Sequence, residues 1–148
     1  MAKLTSYVCV YLVILKDENQ ILLSFRDGTK FANKKWALIA GHAEDGESAK
    51  QAMIREAKEE IGIDIDEKDL TAIYFIDRKT SVPPFLRQNI DIFFKCDKYR
   101  GEIQNKEPNK CGGIEFFEVS NLPQNTLDYI KQAIEDMQEG RICREFGY

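Results

Sequence analysis

The segment from Glu47 to Ile61 constrains the fold more than any other part of the chain. It is rich in Ala, Glu, Lys, Gln and Met, all good helix formers, and Gly62 follows where a C-cap glycine ends a helix. A helix over these residues turns roughly 100° per residue, so Ala49, Ala52, Met53 and Ala57 share one side within roughly 80°. Glu56 and Glu60 fall roughly 20° either side of the centre of that side, and Glu59 sits on its shoulder. Lys50, Gln51 and Lys58 populate the outer side. The chain therefore puts carboxylates where a helix normally buries apolar groups, and an ion out of water needs a counter-charge.

Two arrangements supply one. A hard divalent cation such as Mg²⁺ accepts a few carboxylates, keeps some waters and completes its shell with substrate phosphates. Alternatively the acids form a solvated face with pairs such as Arg55–Glu59. Helix geometry alone leaves both open.

The surrounding segments indicate the fold class. Tyr7 to Leu15 and Ile21 to Phe25 read as two strands of a hairpin, with Asp17-Glu18-Asn19 as its turn. Trp36 to Ala40, Ala72 to Asp77, Gln88 to Cys96 and Ile114 to Val119 read as further strands, and Pro83-Pro84 breaks the segment between two of them. Leu127, Ile130, Ile134 and Met137 recur at helical spacing. Strands, helix, strands, helix is the order of an α/β (α+β) chain with a mixed sheet flanked by helices.

A length of 148 residues suits one domain over 1–148, with no linker or repeat to divide it. A formal charge of -4 gives no basic footprint for duplex nucleic acid. Cys9, Cys96, Cys111 and Cys143 are widely spaced, which suggests reduced thiols, and the apolar run near the N-terminus stops at Lys16 and Asp17, too soon to span a membrane. The expected location is the cytoplasm.

Gly41, Glu47 and Arg55-Glu56-Ala57-Lys58-Glu59-Glu60-Ile61-Gly62-Ile63 together resemble the Nudix box, G-x5-E-x7-R-E-U-x-E-E-x-G-U with U apolar. All seven fixed identities are present, and Ala57 and Ile63 fill the apolar slots. The resemblance implies the Nudix fold, a mixed sheet sandwiched between helices in an α/β/α arrangement. It also implies hydrolysis of a nucleoside diphosphate linked to another group, with Mg²⁺ (Mn²⁺ as the alternative) as cofactor. Glu56, Glu59 and Glu60 match the metal-binding acids, one of Glu56, Glu59 or a loop acid being the general base. Gly41 matches a glycine whose carbonyl adds a ligand, and Glu47 and Arg55 match residues that orient the ligands. A later loop acid often joins them, and Glu107 is the leading candidate ahead of Glu102 and Glu115. The proline common before the box is absent, since Ile39 and Ala40 stand there.

For the substrate, the resemblance points to Arg26 as a phosphate contact. His42 stands beside the site as a second candidate for phosphate, and Phe31, Trp36, Tyr74 and Phe85 are aromatics able to stack on a base. EPNKC and IEFFEVSNLP resemble a MutT-like subgroup, which favours a (deoxy)nucleoside triphosphate cleaved to monophosphate and pyrophosphate. ADP-ribose enzymes of the family usually carry a proline where Lys79 stands here. The alternatives are a dinucleoside polyphosphate, ADP-ribose, a nucleotide sugar, or a nucleotide-sensing domain without catalysis. A homodimer is compatible with the family.

Overall fold

The protein is described by a computed structural model, which covers residues 1–81 and 87–148. The break expected at Pro83-Pro84 and the aromatic Phe85 lie outside the described residues.

Strand β1 (Tyr7–Val13) lies between the two helices, and its sequence shows why. Its apolar run is continuous rather than alternating, as expected of a strand covered on both faces. Successive side chains point to opposite faces, so Val10 and Leu12 join one core while Tyr11 and Val13 join the other. Helix α1 (Ala49–Ile61) covers the first with Ala52, Met53, Ala57 and Ile61. Helix α2 (Asp128–Gln138) covers the second with Tyr129, Ile130, Ala133 and Ile134. The expected α/β/α sandwich is therefore present.

Among the described residues the strands form two sheets. In the first, β5 (Ile39–His42) pairs antiparallel with β1, and β1 runs parallel to β7 (Arg87–Cys96). Beyond it, β6 (Leu70–Thr80) pairs antiparallel with β7 and parallel with β9 (Cys143–Phe146). In the second sheet, β3 (Gln20–Arg26) pairs with β2 (Leu15–Lys16), β4 (Lys35–Ala37) and β8 (Cys111–Glu118).

Four features differ most from the sequence expectation, beyond shifts of a few residues at the ends of β3, β6, β7 and β8. The hairpin is confined to β2 and β3, because the chain leaves the first sheet after Val13 and β1 pairs elsewhere. The strand expected over Trp36 to Ala40 is two strands in different sheets, divided at Leu38. Helix α1 starts at Ala49, since Ser48 accepts a hydrogen bond from the Gln51 N–H while the Gln51 side chain accepts one from the Ser48 N–H. That capping leaves Glu47 outside the helix. Strand β9 was not anticipated; it is short, and its Arg144 is anchored on Asp136 of α2 rather than by an apolar pattern.

Helix α1 ends as expected. Gly62 has φ of 74°, the left-handed conformation that glycine adopts without steric cost. Among the described residues no helix is long and apolar enough to cross a membrane.

Candidate active site

The carboxylates of α1 face a polar cleft of about 720 Å³ between the helix, strands β1, β5 and β6, and the loops after β3 and before β8. Glu56 and Glu60 are half-buried and Glu59 is exposed, as the helical phase requires. All three line the cleft, together with Gly41, His42, Arg55, Arg26 and Glu107.

Arg55 organises the acids. Its Nε and Nη2 donate to the two carboxylate oxygens of Glu47 at 2.8 and 3.0 Å. Nη2 also donates to the His42 carbonyl at 3.1 Å, while Nη1 donates to Glu56 Oε1 at 2.8 Å and to Glu59 Oε2 at 3.5 Å. A two-pronged pair of this kind fixes both partners in direction as well as distance. It holds the Glu47 carboxyl at a pKa of about 2, helped by the Glu44 N–H. The Arg55–Glu59 pair anticipated for a solvated face is thus present, but as one contact of a larger clasp.

Gly41 and Glu107 approach from opposite sides. Gly41 is the third residue of β5, and a Cβ built on it would lie only 2.2 Å from the Glu56 carboxyl carbon. Glu107 lies in the loop before β8, and that loop is tied to the end of α1. The Lys106 and Gln104 N–H groups donate to the Glu60 and Ile61 carbonyls, each at 3.0 Å. Asn105 closes the loop, accepting from the Glu107 N–H at 3.1 Å and donating to the Cys111 carbonyl at 2.8 Å. Glu102 and Glu115 do not line the cleft.

Electrostatics mark the same place. Burial first, then the charges of Glu56 and Glu107, lift Glu60 to a pKa of about 8 against a hydrogen bond to the Ala40 backbone. Burial also raises Glu56, although Arg55 opposes the shift. Crowded carboxylates raise one another in this way when no cation lies between them. Among the described residues no three acids, histidines or cysteines already stand in a metal-binding arrangement. Arg55 holds Glu56 at 2.8 Å and Glu59 at 3.5 Å. The donors nevertheless suit a hard divalent cation: carboxylate oxygens of Glu56, Glu60 and Glu107, and a backbone carbonyl at Gly41.

The remaining expectations divide. Arg26 lines the cleft, its Nε donating to the Phe31 carbonyl at 3.1 Å, and Phe31 lines it too. His42 is at the rim, with Nε2 3.1 Å from Arg87 Nη2, and burial followed by the Arg87 charge lowers its pKa. Trp36 does not line the cleft; its indole packs between Phe25 and Phe117, with ring centroids 5.1 and 4.8 Å away. Tyr74 is wholly buried in the core. Sequence reading missed Arg78, Arg87, Tyr11 and Tyr129, which also line the cleft. For Arg78 a signal existed, because it continues the inward alternation Tyr74, Ile76 one step beyond the expected strand end.

The chain matches the family model of the NUDIX domain over residues 6–136. It belongs to the Nudix hydrolase family. This Nudix domain is 33% identical over 121 residues to an ADP-ribose pyrophosphatase of Methanocaldococcus jannaschii, covering 80% of this chain and 66% of that protein. It is 27% identical over 146 residues to the NAD-capped RNA hydrolase NudC of Vibrio atlanticus, covering 90% of this chain and 50% of the relative. The chain thus spans from half to about two thirds of the length of these curated relatives. Its fold is like that of a MutT NUDIX hydrolase from Burkholderia pseudomallei, with a TM-score of 0.79 and 23% identity over 88% of this chain and 97% of that one.

Proposed function

We propose that this Nudix domain hydrolyses a phosphoric anhydride bond of a free nucleotide, a (deoxy)nucleoside triphosphate being cleaved to monophosphate and pyrophosphate. One observation carries the reading: two half-buried carboxylates of a single helix face, Glu56 and Glu60, meet the loop carboxylate Glu107 at a cleft that also holds Arg26 and Lys110. Glu56, Glu60, Glu107 and the Gly41 carbonyl are the groups that would hold Mg²⁺, or Mn²⁺ in its place. When bound, the metal neutralises phosphate charge and acidifies water.

The side chains have separable roles. Arg55 and Glu47 orient the acids. Glu59 is exposed and only loosely held by Arg55, at 3.5 Å, so it is the carboxylate free to accept the proton of the attacking water. The water oxygen bonds to phosphorus, the bridging P–O bond breaks, and pyrophosphate leaves with the bonding pair. Arg26 and Lys110 form no ion pair among the described residues, which leaves their charge for phosphate oxygens. Free nucleotides and four unpaired cysteines both suit a reducing cytoplasm.

The name of the Methanocaldococcus jannaschii relative favours a second reading, ADP-ribose as substrate. A panel of nucleoside triphosphates, ADP-ribose, dinucleoside polyphosphates and nucleotide sugars, incubated with Mg²⁺ and resolved by chromatography, decides between them. Monophosphate with pyrophosphate supports the first reading, and AMP with ribose 5-phosphate supports the second. No turnover of any member would leave a nucleotide-binding domain without catalysis.

A further inference from the structure

Alternate residues of a strand share a face, and on β6 the inward face carries Tyr74, Ile76 and Arg78. The first two are core residues. Arg78 is buried almost as deeply, at 5% exposure, yet it lines the cleft together with Tyr11 and Tyr129, which are 4% and 8% exposed. These residues form the most buried end of the cleft.

Arg78 is held on several sides. Its Nε and Nη2 donate to the two oxygens of Asp91 on β7, at 2.6 and 3.2 Å. Nη1 donates to Thr80 Oγ1 at 3.0 Å and Nη2 to the Tyr11 hydroxyl at 3.2 Å. The guanidinium carbon lies 4.2 Å from the centre of the Tyr129 ring. A buried ion pair seldom stabilises a fold more than apolar side chains of similar volume, because desolvation offsets the attraction. Structure alone is therefore a weak reason for Arg78 and Asp91 to occupy this place.

We propose that Arg78, clamped by Asp91 and backed by Tyr129, recognises the nucleobase of the substrate at the buried end of the cleft. The inference rests on the nucleotide reading above. Asp91 already balances the charge of Arg78, so the pair has little attraction left for phosphate. What it retains is a guanidinium plane already packed on the flat ring of Tyr129 and, of five guanidinium N–H groups, one on Nη1 that the four bonds above leave over. A flat, uncharged ring with an acceptor edge fits those properties, and that describes a nucleobase.

Calorimetric binding of AMP, GMP, CMP and UMP, with ribose 5-phosphate as the base-free control, tests this in the presence of Mg²⁺. In the unmodified protein at least one monophosphate is expected to bind tenfold or more tightly than ribose 5-phosphate. Arg78→Lys keeps the charge but loses the planar fork, and should cut that margin tenfold or more while leaving ribose 5-phosphate unaffected. Tyr129→Leu leaves the ion pair in place and should also reduce the margin, which decides the matter if Arg78→Lys does not fold. A margin unchanged in folded variants, or no margin in the unmodified protein, overturns the assignment. Turnover of nucleotides by the unmodified protein separates that failure from a failure of the functional reading.

Discussion

The backbone of Gly41 and the carboxyl group of Glu56 are so close that a methyl group on Gly41 would collide with the carboxyl, 2.2 Å from its carbon. The glycine is therefore a steric requirement of the acid, set by contact between β5 and α1. Gly41→Ala should displace Glu56 and weaken Mg²⁺ binding by about 10–100-fold, the usual size when the support of a ligand is disturbed. A Mg²⁺ titration followed by calorimetry checks this. An alanine variant that binds Mg²⁺ as tightly as the native protein would show that Glu56 is not a ligand.

Glu60 gives the metal-free protein a pH dependence. Its folded pKa of about 8 lies above its ordinary value of 4.5, so the folded state holds this proton more tightly than the unfolded state. Stability must then fall as pH rises between those values, because the unfolded chain releases the proton first. The melting temperature in a chelator should drop by roughly 5 °C or more across this window. Mg²⁺ should raise it more at pH 8 than at pH 6. Glu60→Gln should flatten the profile, and a variant with the native slope would refute the explanation.

Glu59→Gln and Glu60→Gln should both abolish most Mg²⁺-dependent turnover, for different reasons. Loss of the proton acceptor at Glu59 should lower kcat by about 10²–10⁴-fold with little change in Mg²⁺ affinity. Glu60→Gln should lower Mg²⁺ affinity itself. Turnover preserved in both folded variants would remove the assignment of α1 as the catalytic helix.

Asp136 tests the fold rather than the site. It is 1% exposed, accepts from Arg144 at 2.7 and 3.1 Å, and takes the Tyr74 hydroxyl hydrogen bond. These partners, Arg144 first, hold its carboxyl well below the usual carboxylate range. Its stabilisation is therefore present above the ordinary carboxylate pKa and is lost as pH falls toward the depressed one. Asp136→Asn should cost about 1–3 kcal/mol in urea unfolding at pH 7, since it removes a charged acceptor from the partly exposed Arg144 and from Tyr74. Activity per folded molecule should not change.

The sequence made some of this plain and hid the rest, for physical reasons. Helical phase alone set Glu56 and Glu60 inward and Glu59 on the shoulder, because 3.6 residues per turn is a local rule. The Gly62 stop was equally local. The departure of β1 from its hairpin was not legible, since strand pairing depends on partners far along the chain, here β5 and β7. Arg78 was legible only as one more inward position of its strand; its neighbours Asp91, Tyr11 and Tyr129 come from three other elements and were not. Trp36 was misleading because an aromatic side chain gives no sign of whether it turns to a cleft or, as here, toward Phe25 and Phe117.

The two hydrogen bonds from Lys106 and Gln104 to the last carbonyls of α1 make the Glu107 loop an extension of that helix. Helix termini fray first, and a fraying last turn here would let go of both Glu60 and the loop in one event. Amide exchange at Lys106 and Gln104 should accordingly keep pace with the C-terminal turn of α1. Opening this end of the helix then dismantles the site as a unit, while the capped end at Ser48 stays closed.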